Sequence, residues 1–332
     1  MNRPKCTDTE YVDFLVSTQL SYSCLEAEKV QPVRQSNPKH DAINRLLYRI
    51  PSDSEALWKE AQPHVVLDRG LLLIDDSTLD KPFARDIDLV SYHWSGNHHR
   101  VVKGISLQSL IWTDGDSIIP IDARVLDKRE QATKNDLFVQ MLDVAFKRGF
   151  KVNYVCFDSW YSRLENLKFL KNNSQHWFTR FKSNRLVDPD KTGNRQLCEL
   201  HGLENGRVVH LKGYGMVKVF KTVSKNGDEE FWATSDLQMD ELKRLSIAEK
   251  TWGIEMYHRE IKQACGVERC QCRGAKAQIN HILLSIRAFL RLERYCFISG
   301  IGWLEAKWQI TRSATRAYLR NPIYNQALYA TA

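Results

Sequence analysis

Up to about residue 68, apolar positions recur at helical spacing: Leu15, Leu20 and Leu25, then Ile43, Leu46, Leu47 and Ile50. This pattern predicts a small helical module. Ser36-Asn37-Pro38-Lys39-His40-Asp41 supplies cap and first-turn residues for a helix running through Tyr48. At residue 71 the period changes, and the apolar run Leu71-Leu72-Leu73-Ile74 predicts a short buried strand ending in Asp75-Asp76-Ser77-Thr78. Val102 to Trp112 and Ser117 to Val125 predict two antiparallel strands joined by the turn Thr113-Asp114-Gly115-Asp116. Residues 133–149 predict an amphipathic helix with Leu137, Phe138, Met141, Leu142, Ala145 and Phe146 on one face and Gly149 at its end. A fourth strand, Val152 to Phe157, leads into Asp158, and a helix over about 162–172 follows.

Beyond that helix the chain turns β-rich, with hairpins predicted at Arg207 to Val219 and Glu229 to Thr234 and a turn at Asn226-Gly227. Helical periodicity returns near 240 and continues to about 319, broken at Gly300. The pattern divides the chain into a helical module at 1–68, an α/β segment at 69–172, a β-rich insertion at 173–238 and a helical remainder at 239–332.

The net charge of +8 changes this picture through its placement. Residues 243–320 carry fifteen Lys or Arg against six Glu and no Asp, so the rest of the chain is close to neutral. A one-sided basic field suits a polyanionic partner, although a solvated helical surface gives the same count. The eight cysteines are irregularly spaced and predict reduced thiols rather than a disulfide framework. Cys265, Cys270 and Cys272 lack the paired spacing of a structural zinc site, and Cys198 with His201 is a lone half-site. The first thirty residues are interrupted by Lys5, Asp8, Glu10, Asp13 and Glu26, and nowhere do eighteen apolar residues run together. A soluble, cytoplasmic protein without a membrane span is therefore expected.

Three acids stand out by position: Asp76 after the first strand, Asp158 after the fourth, and Glu255 inside a helix. Two carboxylates leaving neighbouring strands, with a third brought by a helix, make an oxygen-rich pocket for divalent metal and phosphoryl transfer. Each has an ordinary reading as well. An Asp after a strand commonly bonds the following turn, and Glu255 with Arg259 is also a routine i, i+4 helix pair. Asp75, Asp80 and Glu260 are rival carboxylates. Asp75 and Asp76 alternate in direction on an extended segment, so only one enters the pocket, and sequence physics leaves the choice open. A glycosidase reading lacks any accompanying sugar-binding motif.

Ile74-Asp75-Asp76-Ser77-Thr78, Tyr154-Val155-Cys156-Phe157-Asp158-Ser159 and Trp252-Gly253-Ile254-Glu255 with Lys262 resemble the acidic motifs of bacterial insertion-sequence DDE transposases. The resemblance spans roughly 70 to 295. It implies an α/β fold class: an RNase H-like mixed sheet flanked by helices, with the N-terminal helical module and a β-strand insertion before the glutamate. It further implies cut-and-paste transposition, with Asp76, Asp158 and Glu255 holding two Mg²⁺ ions, Mn²⁺ serving as a substitute. Asp76, followed by the hydroxyl pair, takes the place of the first catalytic Asp. The implied partners are double-stranded DNA, as terminal inverted repeats and target, and a second copy of the chain in the DNA complex.

Members of this group place a Tyr and an Arg seven and four residues before the glutamate and a Lys seven after it, gripping end phosphates. Lys262 matches the last position, while Ala248 and Thr251 stand at the first two. Lys250 and Arg259 are compensating cations, and His258 beside them is a further candidate DNA contact. Arg287, Arg291 and Arg294 form a stripe on a helix over about 276–297, suited equally to a phosphate backbone or to solvent. Trp177 and Trp232 in the insertion are candidates for stacking on a flipped base, against an ordinary role in hairpin packing. The segment Trp94 to Arg100, with Asn97, His98 and His99, either contacts DNA or caps the second strand. The alternatives to a transposase are a stand-alone metal nuclease of the same fold and a catalytically silent DNA-binding relative.

Overall fold

The computed structural model describes residues 4–19, 21–32, 37–95, 100–224 and 226–322; Leu20, Ser36, Asn97, His98 and His99 lie outside them. Along the chain run α1 (Asp8–Ser17), α2 (Cys24–Lys29), α3 (His40–Arg49), α4 (Glu55–Ala61), β1 (Leu71–Asp80), β2 (Ser91–Ser95), β3 (Arg100–Thr113) and β4 (Ile118–Val125). Next come α5 (Lys134–Lys147), β5 (Tyr154–Phe157), α6 (Leu164–Asn172), β6 (Trp177–Phe181), β7 (Leu186–Val187), β8 (Arg195–Gln196), β9 (Arg207–Leu211), β10 (Gly215–Val223) and β11 (Glu229–Thr234). The chain closes with α7 (Glu241–Thr251), α8 (Gly253–Gln263), α9 (Ala275–Ser299) and α10 (Trp303–Arg320). These elements form two compact units, Ser54–Arg85 with Leu89–His258, and the described parts of Met1–Asp53, Asp86–Asp88 and Arg259–Ala332.

In the first of these units the described strands build a nine-stranded mixed sheet in the order β2-β3-β1-β5-β6-β11-β10-β9, with β4 also paired to β3. β1, β5 and β6 are mutually parallel and the remaining pairings are antiparallel. The mixed sheet with helices packed on it is the α/β arrangement expected above. The strand β6, which the sequence pattern does not announce, joins β5 to β11, so the β-rich stretch continues the central sheet.

β1 differs from expectation in length. It does not stop before Asp75 but runs on to Asp80, because the fourteen-residue β3 offers a backbone partner at every step from Leu71↔Thr113 to Asp80↔Gly104. That ladder overrides the local preference of Asp-Ser-Thr for a turn. Gly104 is required in it: a Cβ there would come 2.4 Å from the Leu79 carbonyl oxygen.

The helix α5 starts and stops where its sequence says. Thr133 and Asp136 exchange hydrogen bonds in a capping box, and Gly149 takes φ +95° while Phe150 N–H bonds back to Ala145. Its apolar face lies on the sheet through Phe138, which meets Phe157 edge-on at 5.2 Å and stacks on Tyr161 at 5.3 Å. The opposite face of β1 receives the start of α8, where a Cβ on Gly253 would touch Leu73 and Ile118.

The other unit is helical. α9 is apolar enough to be buried along most of its length, and α1, α3 and α10 pack on it. Buried polar groups fix these contacts. Asn280 donates to the Leu47 and Ile50 carbonyls at the end of α3, and Lys307 donates to Val16 and Thr18 at the end of α1. His281 bridges the Tyr11 hydroxyl and the Gly266 carbonyl, each at 2.9 Å. Such bonds satisfy helix-end carbonyls that burial would otherwise leave unmet.

Candidate active site

The pleat of β1 sorts its side chains into two sets. Ile74 pairs with Phe157, whose ring meets α5, so Ile74 and Asp76 share the α5 side of the sheet. Leu73 and Asp75 point the other way, toward α8. Asp75 stands in register with Ser109, whose hydroxyl lies 3.3 Å from the Tyr257 hydroxyl, and Asp75 Oδ2 lies 4.0 Å from His258 Nδ1. Tyr257 and His258 both belong to α8, one turn beyond Glu255.

Asp158 comes one step after the last β1–β5 pair, Ile74↔Phe157, which places it alongside Asp75 and turned to the same face. Electrostatics agree. Burial pushes the Asp75 carboxyl well above its usual range, and the charges of Asp76, Asp158 and Glu255 push in the same direction. Glu255 is also raised, by desolvation first and by Asp158, with the Arg180 guanidinium pulling it back. A recess in which burial and neighbouring acids disfavour the charge of Asp75 and Glu255 is suited to a hard divalent cation, whose charge relieves the repulsion. Among the described residues no three His, Cys, Asp or Glu side chains already stand close enough to hold an ion.

Asp76 is engaged elsewhere. Lys134 Nζ donates to its Oδ2 at 2.5 Å, and the Tyr161 hydroxyl donates to its Oδ1 at 2.6 Å. Burial and the adjacent Asp76 charge raise the Tyr161 phenol far above its normal value, so it acts as a donor. Lys134, Tyr161 and Arg180 carry no sequence signal for this site. Lys134 and Arg180 arrive through long-range packing and strand register, and only the closeness of Tyr161 to Asp158 in the chain hints at a role.

The other candidates fall in several places. Trp177 is fully buried, with its indole N–H on the Tyr214 hydroxyl, and is a core residue closed to a base. Trp232 is half-buried, stacks on Phe178 at 4.9 Å, and carries the Arg180 guanidinium 5.3 Å from its ring. Lys250 lies against the Asp114-Gly115 turn. His258 is buried toward Asp75. Arg259 pairs with Glu260 at 3.3 Å and Lys262 with Glu268 at 3.5 Å. The arginine stripe of α9 faces protein: Arg287 is buried and bound to Asp8 at 2.7 Å, Arg291 meets Asp13 at 2.8 Å, and Arg294 lies over Phe297. A helix surface facing α1 rather than solvent explains this, because the acids of α1 neutralise it. No helix among the described residues is long and apolar enough to cross a membrane.

Comparison with known proteins accords with this geometry. A piggyBac transposase synaptic complex with hairpin DNA, seen by cryo-EM, has a similar fold: TM-score 0.55 over 97% of this chain and 73% of that one, at 12% identity. That likeness is one of overall fold, a mixed sheet flanked by helices, and is consistent with the RNase H-like arrangement expected from the sequence. Weaker matches are the Drosophila P element transposase strand transfer complex, at TM-score 0.29, 11% identity and coverage of 88% and 65%, and the NurA nuclease from Sulfolobus solfataricus, at TM-score 0.28, 12% identity and coverage of 77% and 90%. No curated protein matches the chain. The family model described as "Transposase DDE domain" matches residues 67–290, which take in β1, β5 and the start of α8, and the chain belongs to that family.

Proposed function

We propose that this transposase cleaves the DNA ends of a mobile element and joins them to target DNA, using divalent metal held by Asp75, Asp158 and Glu255. The observation that carries the reading is proximity: Asp75 and Asp158 follow the last pairing of adjacent parallel strands, Asp75 faces His258 of α8, and the charges of Asp158 and Glu255 both act on Asp75. Of the two adjacent acids, Asp75 is preferred to Asp76 because the latter has both oxygens occupied and an ammonium group at 2.5 Å, which opposes a cation. When bound, Mg²⁺ or Mn²⁺ supplies an activated water or 3'-hydroxyl and stabilises the leaving oxygen. The protein residues supply charge and placement. Arg180, beside Glu255, over the Trp232 ring and paired with Glu230 at 2.8 Å, is the candidate cation for a backbone phosphate, whereas Trp232 is already covered by Phe178 and Arg180. Double-stranded DNA is the partner, and two ends handled together imply two copies of the chain in the DNA complex.

The test is Mg²⁺-dependent cleavage and joining of a DNA fragment bearing the ends that flank the gene. Asp75→Asn, Asp158→Asn and Glu255→Gln are each expected to lower cleavage by at least about a thousandfold, in keeping with loss of a metal-centred step, while DNA binding persists. Full cleavage by Asp75→Asn alongside an inactive Asp76→Asn would reverse the choice of first acid. Cleavage without joining would favour the nuclease alternative.

A further inference from the structure

We infer that Asp76 is a positioning residue: clasped by Lys134 and Tyr161, it fixes the turn carrying Asp158 against the strand carrying Asp75 and so sets the spacing of the two metal-binding carboxylates. This rests on the metal-site reading above. The backbone ladder between β1 and β5 ends at Ile74↔Phe157. Asp75 and Asp158 thus lie just past the last pairing, and the Asp76–Tyr161 hydrogen bond is a side-chain tie across that unpaired step.

The tie is rigid at both ends. Tyr161 N–H bonds the Asp158 carbonyl at 3.0 Å, closing the turn after the acid. Its ring is fully buried and stacked on Phe138 at 16° between planes, so the hydroxyl has one direction to point. Asn166, fully buried on α6, donates to the Tyr161 carbonyl at 3.0 Å and to Asn135 Oδ1 at 2.7 Å, and Asn135 adjoins Lys134 on α5. One carboxylate therefore joins β1, the Asp158 turn and α5, with Asn166 of α6 holding the Tyr161 backbone. Residues behind metal ligands typically change affinity by about 10–100-fold when lost, without touching the ion.

The experiment measures Mn²⁺ binding to the full chain without DNA, by the loss of the free-ion electron paramagnetic resonance signal, beside thermal stability and the Mg²⁺ dependence of cleavage. Tyr161→Phe removes one hydroxyl and keeps the buried ring. It is expected to weaken Mn²⁺ binding by about tenfold, to raise the Mg²⁺ needed for half-maximal cleavage, and to leave the rate at saturating Mg²⁺ near that of the unmodified protein, with little change in Tm. Asp76→Asn is expected to act in the same direction. An unchanged Mn²⁺ affinity in Tyr161→Phe overturns the inference, as does complete loss of binding in Asp76→Asn with none in Tyr161→Phe, which would make Asp76 a ligand. Asp75→Asn separates the two levels. If it loses Mn²⁺ while Tyr161→Phe binds normally, only the positioning role fails; if it binds Mn²⁺ as before, the site reading fails first.

Discussion

Asp75 is held in a crowded, acid-lined recess where its own charge is unfavourable, so in the proposed metal site function and stability oppose each other at this position. A carboxyl raised in the fold contributes stability at pH below its unfolded value, and that contribution disappears as pH rises through the folded value. The metal-free protein therefore loses stability at this residue as pH climbs toward and through that raised value. Asp75→Asn is expected to raise Tm without metal, where a gain of about 1 kcal/mol corresponds to roughly 2–4 °C, and to abolish the stabilisation by Mg²⁺ that the proposed site predicts for the unmodified chain. Calorimetry with and without Mg²⁺ reads both, and a lower Tm would remove the acid from the recess. His93 works in the opposite sense. Burial, then the ammonium groups of Lys128 and Lys134, push it down to about 4, against 6.5 when unfolded. It stays neutral in the fold, so stability is intact above pH 6.5 and falls as pH drops toward 4, by up to about 3 kcal/mol. Urea midpoints across that window should decline less steeply in His93→Gln, and an equal slope would exclude the residue.

At the scale of elements, sequence pattern and structure part company where a strand depends on a distant neighbour. The helix over 133–149 and the strands around the Asp114-Gly115 turn were legible because caps, period and turn chemistry are local. The full length of β1 was not, since Asp-Ser-Thr reads as a turn until the fourteen-residue β3 is alongside. β2 and β6 were not singled out: Ser91–Ser95 is only five residues long, Trp177–Phe181 does not alternate and was not separated from the rest of the β-rich stretch, and both are fixed by their partners. Among helices, Asn280 shows how an element boundary is held from outside, with its amide on the last carbonyls of α3. Asn280→Ala leaves those buried acceptors unmet and is expected to cost about 1–3 kcal/mol, visible as a lower urea midpoint with far-UV helix signal retained. A neutral result would mean that solvent reaches the end of α3.

For the whole molecule, sequence spacing singles out Asp76, Asp158 and Glu255 as candidates, and the proposed preference for Asp75 over Asp76 rests on the faces of the sheet, a property of register that no single segment contains. The arginines of α9 carry the same lesson, since their partners Asp8 and Asp13 lie at the other end of the chain. The order in which the sheet is threaded has a further consequence. All strands of the sheet, with both aspartates, are encoded before residue 235, whereas the glutamate follows at 255 on α8. A polypeptide released prematurely from the ribosome between those two points would possess every strand and two acids of the proposed trio, but would lack the third. If the proposed trio holds the metal, such a fragment is expected to show no DNA cleavage.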